Sequence, residues 1–463
     1  MAPMRRAGTQ TEPGAPRDWT SRLFAPVDIA SLVVFRILLG AILFWEVWRY
    51  FDNDWIRLYY VVRQVHFKYY GFEWVQAWPG EWMYAHFVLV GFLSLCVMLG
   101  FLYRVSAVLL FLSCAYWFLL DETRYLNHLY LTLLLCFLMI FVPAHRARSI
   151  DAWGRPDFAS DTAPAWSLWL LRAQIGIVYF YAGIAKLDAD WLRGAPLADW
   201  LAKRSSLPLI GRFLDEPAAV SFFVYGGLLF DLLVVPLLLW KRTRVLAFSA
   251  AVFFHVVNKW LFDIGIFPAL GISATLLFLS PGWPRRLCLL FAPADAPSAG
   301  APRCAVSPLA RKLTVYGCGA WLAVQLLVPL RHFLYPGNVH WTEEGHRFSW
   351  HMKLRDKQPV STRFFATNPE TGHTWEIDQT EYLSSRQRAQ VGTWPDMAQQ
   401  FAGFVAEELE RRGEGPVAVR VEARVSLNGR NPQLLIDPDV DLSSVPRTLL
   451  PAGWIEPLTE PLP

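Results

Sequence analysis

Residues 170–191 read LLRAQIGIVYFYAGIAKLDADW. No charge interrupts the run from Ala173 to Ala185, which then stops at Lys186, Asp188 and Asp190. With Ser167 to Leu171 before it, the stretch approaches the roughly 20 apolar residues that carry a helix across a hydrocarbon core of about 30 Å. An amine at the mouth of such a helix costs free energy unless it has a partner or a task. Apolar surroundings favour the uncharged form of an amine, and an uncharged amine is a base. Two readings of Lys186 therefore stand side by side. One is a lysine that snorkels to the headgroup layer, held charged by Asp188 or Asp190. The other is a desolvated base.

The rest of the chain agrees with a membrane setting. Of its 463 residues 54% are hydrophobic and 22 are Trp, against about 45–50% apolar in ordinary soluble domains. The expected fold is mainly α, a polytopic helical membrane bundle of about nine spans, followed by a small C-terminal α+β extracytoplasmic domain. A formal charge of +4 is too small to argue for nucleic acid. Residues 1–24 are polar and read as a disordered cytoplasmic tail without the apolar core of a cleaved signal peptide. The first apolar run starts near Ile29 and reads as a signal anchor. The six cysteines (Cys96, Cys114, Cys136, Cys288, Cys304, Cys318) show no CxxC spacing, so neither a metal site nor a disulfide framework is expected.

The candidate spans are 28–49, 83–102, 105–120, 125–143, 167–186, 219–240, 245–261, 264–281 and 313–333. Positive charges follow alternate ends of these spans, as the positive-inside rule requires. Arg5, Arg6, Arg17 and Arg22 precede the first, and Arg104 follows the second. Arg146, Arg148 and Arg155 follow the fourth; Lys241, Arg242 and Arg244 follow the sixth; Arg285, Arg286, Arg303, Arg311 and Lys312 follow the eighth. A cytoplasmic N-terminus puts all five groups on the cytoplasmic side. Residues 25–333 then form the bundle, and 334–463 lie outside. Residues 282–312, rich in Pro and Ala, read as a cytoplasmic linker.

Beyond residue 334 apolar residues thin out. PVAVRVEARVSLNG (416–429) alternates as a strand that ends in an Asn428-Gly429 turn. WPDMAQQFAGFVAEELERR (394–412) has helical spacing, with Met397, Phe401, Phe404, Val405 and Leu409 on one side. Short strands fit Phe364-FAT and His373-TWEI.

Several polar groups fall at membrane depth. His128, beside Asn127, opens the fourth span on the side where Lys186 ends the fifth, so both can face one outer cavity. A helix-capping histidine is the plain alternative. His255 and Asn258 lie near one turn apart in the seventh span. Arg172, Gln174, Arg36, Glu46 and Asp231 are further groups that should face the bundle interior and pair; Arg36 and Asp231 read as structural rather than catalytic. Tyr179, Phe180 and Tyr181, within two turns of Lys186, suit a flat pocket for a lipid-soluble ring, although Trp and Tyr also gather at interfaces without function. No GxSxG, HExxH, Walker or dinucleotide motif supports a hydrolase, zincin, NTPase or nicotinamide enzyme.

The YFYAGIAKLDADW block resembles the active-site segment of the vitamin K-dependent gamma-glutamyl carboxylases. PVDIASLVVFRILLG, FLLDETRYLNHLYL, FFHVVNKWLFDIGIFP, HFLYPGNVHWTEEGHRFSWHMK and RVSLNGRNPQLLIDPDVDL are similar to further family segments in the same order, from about residue 22 to 457. The resemblance implies an enzyme that couples oxygenation of reduced vitamin K (phylloquinol or menaquinol) to its epoxide with carboxylation of peptide glutamate. Dioxygen and carbon dioxide are co-substrates, and no metal is implied. A glutamate-containing peptide or protein, a lipid-soluble quinol and membrane lipid would be the partners.

By the same resemblance Lys186 is the initiating base and His128 its support. Tyr179, His255, Ile264 and Phe267 lie near the quinone, where Asn127, by its place beside His128, adds an amide donor and acceptor for the cofactor. His332, Trp341, His346, Trp350 and Met352 meet the glutamate substrate. Animal members have two adjacent lysines where this chain has Ala185-Lys186, and a tyrosine where it has His346. Their disulfide between membrane and soluble parts has no counterpart after Cys318. Their long additional outer domain, which helps to hold a propeptide, is not expected here either, which suits a short bacterial homologue of the inner membrane with its outer domain on the periplasmic side. Retention of Lys186 with His128 favours an enzyme over a non-enzymatic quinone- or lipid-binding protein that reuses the pocket. A transporter is weaker still, because no inverted repeat is visible.

Overall fold

The structure, a computed structural model, describes residues 18–208, 211–262, 264–287 and 307–462. The start of the expected tail (1–17) and most of the expected linker (288–306, with Cys288 and Cys304) lie outside them. Residues Trp19–Leu23 form a short helix capped by Asp18, so the end of that tail is helical.

The membrane-type region is built from α1 (Ala30–Asp52), α2 (Glu81–Leu99), α3 (Tyr103–Leu119), α4 (Asn127–Phe141), α5 (Ala165–Ala185), α6 (Pro217–Leu239), α7 (Arg244–Leu261), α8 (Phe267–Thr275) and α9 (Pro308–Leu327). Each of the nine expected intervals holds a helix. Only five helices among the described residues are long and apolar enough to cross a membrane: α1, α2, α5, α6, and α9 with its 3-10 continuation to Leu334. The count of nine spans is not confirmed on that measure. The helices α3, α4 and α8 are shorter, and α7 carries His255, Asn258 and Lys259 among its apolar residues. The α9 segment is the least buried of the five, as a lipid-facing helix would be.

Buried polar side chains tie these helices together. The Arg36 guanidinium donates to the carbonyls of Ala144 (2.8 Å) and Arg148 (2.5 Å), which closes the loop after α4. Arg172 does the same for the carbonyls of Leu277 and Leu279 after α8. Gln174 accepts from the Trp321 indole (2.8 Å) and holds α9 against α5. These groups replace water as hydrogen-bond partners where none is available.

The packing of α5 on α6 matters most for the site. A Cβ on Gly183 would stand 2.6 Å from Leu232 Cδ2 and 3.2 Å from its backbone nitrogen. Only glycine permits so close an approach. The result sets the last turn of α5, and Lys186 after it, against the middle of α6.

The C-terminal region is a four-stranded antiparallel sheet in the order β4-β3-β5-β6, comprising β3 (Lys357–Thr367), β4 (Thr374–Glu376), β5 (Ala418–Leu427) and β6 (Gln433–Leu434). The chain also pairs β1 (Pro26–Asp28) with β2 (Thr162–Pro164) at the start of α1 and α5. Alternate residues of β5, namely Val419, Val421, Ala423, Val425 and Leu427, are buried. They meet the Met397, Phe401, Val405 and Leu409 stripe of α10 (Pro395–Arg411) in one core, as the two periodicities require. Asn428 and Gly429 after β5 both take positive φ, as an Asn-Gly turn needs.

Candidate active site

A cavity of about 660 Å³ opens where the bundle meets the sheet region. That volume suits a small-molecule site. From the helices come Tyr179, Phe222, Phe223, Phe230, Phe254 and Phe267, with Ile264 between α7 and α8. From the segment after α9 come His346, His351, Met352, Lys353 and Arg355, joined by Arg386 and Trp394. One wall is therefore aromatic and the other rich in cations and imidazoles. Phe222 and Phe253 are also more than 60% exposed on the flank of the bundle (64% and 63%), so the aromatic side reaches the surface that lipid would cover.

Lys186 ends α5 as its C-cap and lines the cavity. Its Nζ donates to Asp231 Oδ2 at 2.5 Å and to the Ala182 carbonyl at 3.3 Å, and lies 5.5 Å from the centroid of the Trp191 ring. Both partners of this pair are buried. Asp188 and Asp190 do not pair with Lys186. Asp188 caps the short helix Ala189–Leu192, and Asp190 turns outward to Arg430 and Asn428. The partner of Lys186 comes from α6, 45 residues away, because the tight α5–α6 contact brings the two together.

His128 stands at the start of α4, with its ring 6.2 Å from that of Phe267. A Cβ on Gly265 would sit 3.6 Å from His128 Nε2 and 3.1 Å from an Arg49 nitrogen, so histidine and guanidinium face the same corner of the cavity. Arg49 is paired in turn with Glu46 at 2.6 Å. Asn127 accepts from the Tyr125 hydroxyl (2.9 Å) and donates to the His351 carbonyl (3.1 Å), which clips the outer segment to α4.

Behind the aromatic wall Tyr179 Oη and His255 Nε2 are 2.8 Å apart, and the His255 ring packs edge-on to Phe267 at 5.3 Å. Gly271 makes room for that imidazole: an added Cβ would fall on the ring. Gly271→Ala is expected to push His255 off Tyr179 and cost about 1–3 kcal/mol by overpacking, read as a lower thermal midpoint.

Not every expected residue reaches the cavity. Phe180 is largely exposed, and Tyr181 bonds the Leu326 carbonyl (2.5 Å) away from it. Among the described residues His332, Trp341 and Trp350 lie outside the lining. Trp350 stacks on Tyr130 at 5.0 Å. The Trp341 indole donates to the Glu456 carbonyl at 2.6 Å. His332 Nδ1 contacts the Pro329 carbonyl at 2.7 Å. These three hold the outer segment in place. Burial, followed by the charge of Arg355, holds the His346 imidazole well below its ordinary value. Burial, then the neighbouring His332 and Arg355, brings His351 to about 3. Both rings are neutral at physiological pH.

A family model described as the HTTM domain matches residues 24–283. A model described as the vitamin K-dependent gamma-carboxylase, lumenal domain, matches residues 310–461. The chain belongs to the vitamin K-dependent gamma-carboxylase family. The first match contains the whole α1–α8 bundle with Lys186, His128 and Asp231; the second contains α9 from its third residue on, the outer segment and the sheet. Membership points to a vitamin K-dependent carboxylase with glutamate-containing protein substrates. No solved structure matches the chain.

Asp231 as the partner of Lys186, and Arg49, Lys353 and Arg355 in the cavity wall, do not stand out in the sequence. A lone carboxylate inside an apolar span was the usable signal, since such groups pair, and Lys186 was an available cation. Lys353 and Arg355 sit in a polar stretch where charge alone carries no information, and Arg49 stands at the end of the first span, where a cation is ordinary.

Proposed function

We propose that this chain carboxylates glutamate side chains of a peptide or protein and couples that step to oxygenation of reduced vitamin K to its epoxide. Lys186 is the initiating base. The observation that carries this reading is the buried Lys186–Asp231 pair in a cavity with one aromatic and one cationic wall.

The geometry supports specific roles. A proton can pass along the 2.5 Å Lys186–Asp231 contact without charge leaving the pair, so the buried amine can be freed as a base. His128 faces the same cavity and is placed to hydrogen-bond the quinol oxygen. Tyr179, Ile264 and Phe267 would flank the ring, with His255 fixing Tyr179 from behind. Reduced vitamin K, once bound, supplies through its oxygenation the strong base that takes the glutamate γ-proton. His346, Met352, Lys353 and Arg355 are placed to receive the anionic substrate on the outer side, with His332, Trp341 and Trp350 positioning that segment.

In this reading the nine helices form the membrane domain with a cytoplasmic N-terminus. The sheet domain lies on the outer, periplasmic face, so lipid-borne quinol and peptide approach from different sides. The test is incubation of the purified protein with reduced vitamin K, dioxygen, labelled bicarbonate and a short Glu peptide. Epoxide and labelled peptide are expected. Neither product from folded protein would favour the non-enzymatic quinone-binding alternative.

A further inference from the structure

No metal site was expected from cysteine spacing, yet the outer segment gathers imidazoles. His340, His346 and His351 are each buried, and one ring nitrogen from each lies within 4.8 Å of the others. The Nδ1 atom of all three has no hydrogen-bond partner among the described residues. Buried polar atoms are normally satisfied, so three orphans within twelve residues call for a cause. The backbone supplies a second observation. Glu343, Phe348, Trp350 and Lys353 all take positive φ (65°, 65°, 61° and 54°). Each such residue costs free energy and persists where the surroundings impose it, which is common at ligand sites. These residues lie among and just beyond the three histidines, whose ring nitrogens come within 4.8 Å of one another.

We propose that His340, His346 and His351 form a binding site for a zinc-class divalent cation in the wall of the cavity. Three neutral imidazoles are the donor set that such ions prefer, and a three-histidine set leaves a fourth position open. His346 and His351 both line the cavity, so that position faces it. Metal–nitrogen bonds of about 2.0–2.1 Å place tetrahedral ligands roughly 3.3 Å apart, a modest closure of side chains from the present spread. Nearby charges are accommodated. Arg355 donates to His346 Nε2 at 3.1 Å but grips Glu343 with two bonds of 2.8 and 2.6 Å. Metal capture at His346 Nδ1 would put the ring proton on Nε2 and leave Arg355 to Glu343. Lys357 stands 3.5 Å from the same carboxylate, and Glu343 Oε2 is 3.7 Å from His346 Nδ1, so negative charge adjoins the site.

The experiment is a Co²⁺ titration of chelator-stripped, full-length protein in detergent, followed by displacement with Zn²⁺ and elemental analysis. One equivalent with the intense visible absorption of a four-coordinate cobalt centre is expected. His340→Asn and His351→Asn should each lose that spectrum and the stoichiometric ion. His373→Asn, whose ring stacks on Trp375 at 5.3 Å just before β4 and away from the triad, should keep both. Absence of stoichiometric binding by the wild-type protein would overturn the proposal, as would an unchanged spectrum in folded His340→Asn and His351→Asn proteins. Binding is read without turnover, so failure here and failure of the carboxylase reading are separate results.

Discussion

Replacing Lys186 by alanine is expected to lower epoxide formation by about 10²–10⁴-fold, the usual contribution of a positioned general base. The Nζ atom lies in the cavity 2.5 Å from the buried Asp231 carboxylate. Small primary amines added to the assay should restore part of the rate, because the vacated space can hold them beside Asp231. The variant also leaves Asp231 buried without its cation, a change that costs about 3–5 kcal/mol for a broken buried pair. A second variant separates the two effects. Lys186→Met combined with Asp231→Leu removes both charges and should regain most of the thermal midpoint lost by Lys186→Ala, while the epoxidase rate stays low. Wild-type rates in folded Lys186→Ala protein would end the assignment, and recovery of activity in the double variant would show the pair to be structural only.

The second large effect is expected outside the cavity. Arg430 makes a two-pronged contact with Asp190, at 2.6 and 2.8 Å, and Asn428 adds a bond of 2.8 Å. The contact joins the turn after β5 to the short helix behind Lys186. Burial alone would raise the Asp190 carboxyl, but the hydrogen bonds from Arg430 and Asn428 outweigh it and hold the group below its ordinary value of 3.8. Arg430→Ala should cost about 3–5 kcal/mol and release the sheet region from the bundle, seen as faster proteolysis between residues 334 and 357 and a lower thermal midpoint. Asp190→Ala should do the same, and the two together should cost less than their sum. The sign of the pH dependence follows from the lowered carboxyl. The native state binds its proton more weakly than the unfolded one, so the contribution is complete above 3.8 and fades as pH falls toward the native value. A midpoint that rises on acidification through that window, or an unaltered proteolysis pattern in Arg430→Ala, would contradict this docking role.

Both effects arise from the same short stretch of chain, but they were not equally legible in it. The apolar run before Lys186 and its abrupt end could be read directly, and so could the lysine's need for a partner. The nearest carboxylates in sequence looked adequate, yet each is used elsewhere: Asp188 caps a helix, and Asp190 faces the sheet region. Asp231 was visible only as a charge that had to pair with something. The outer segment was harder. His346 and Met352 do reach the cavity, while Trp341 and Trp350 turn into packing, and four non-glycine residues with positive φ put each side chain where no simple periodicity would place it.

Local chemistry determined by itself what repeats along the chain. Hydrophobic period and length yield the helices of the bundle, alternation yields β5, the α10 stripe yields its buried face, and Asn428-Gly429 yields the turn. Each of these depends on residues a few positions apart, so the sequence suffices. The partner of Lys186, the cavity with its two unlike walls and the convergence of His340, His346 and His351 were decided by tertiary structure. They join elements far apart in the chain, or a segment whose backbone follows no regular repeat, and only close packing such as that of Gly183 on Leu232 sets which distant groups meet.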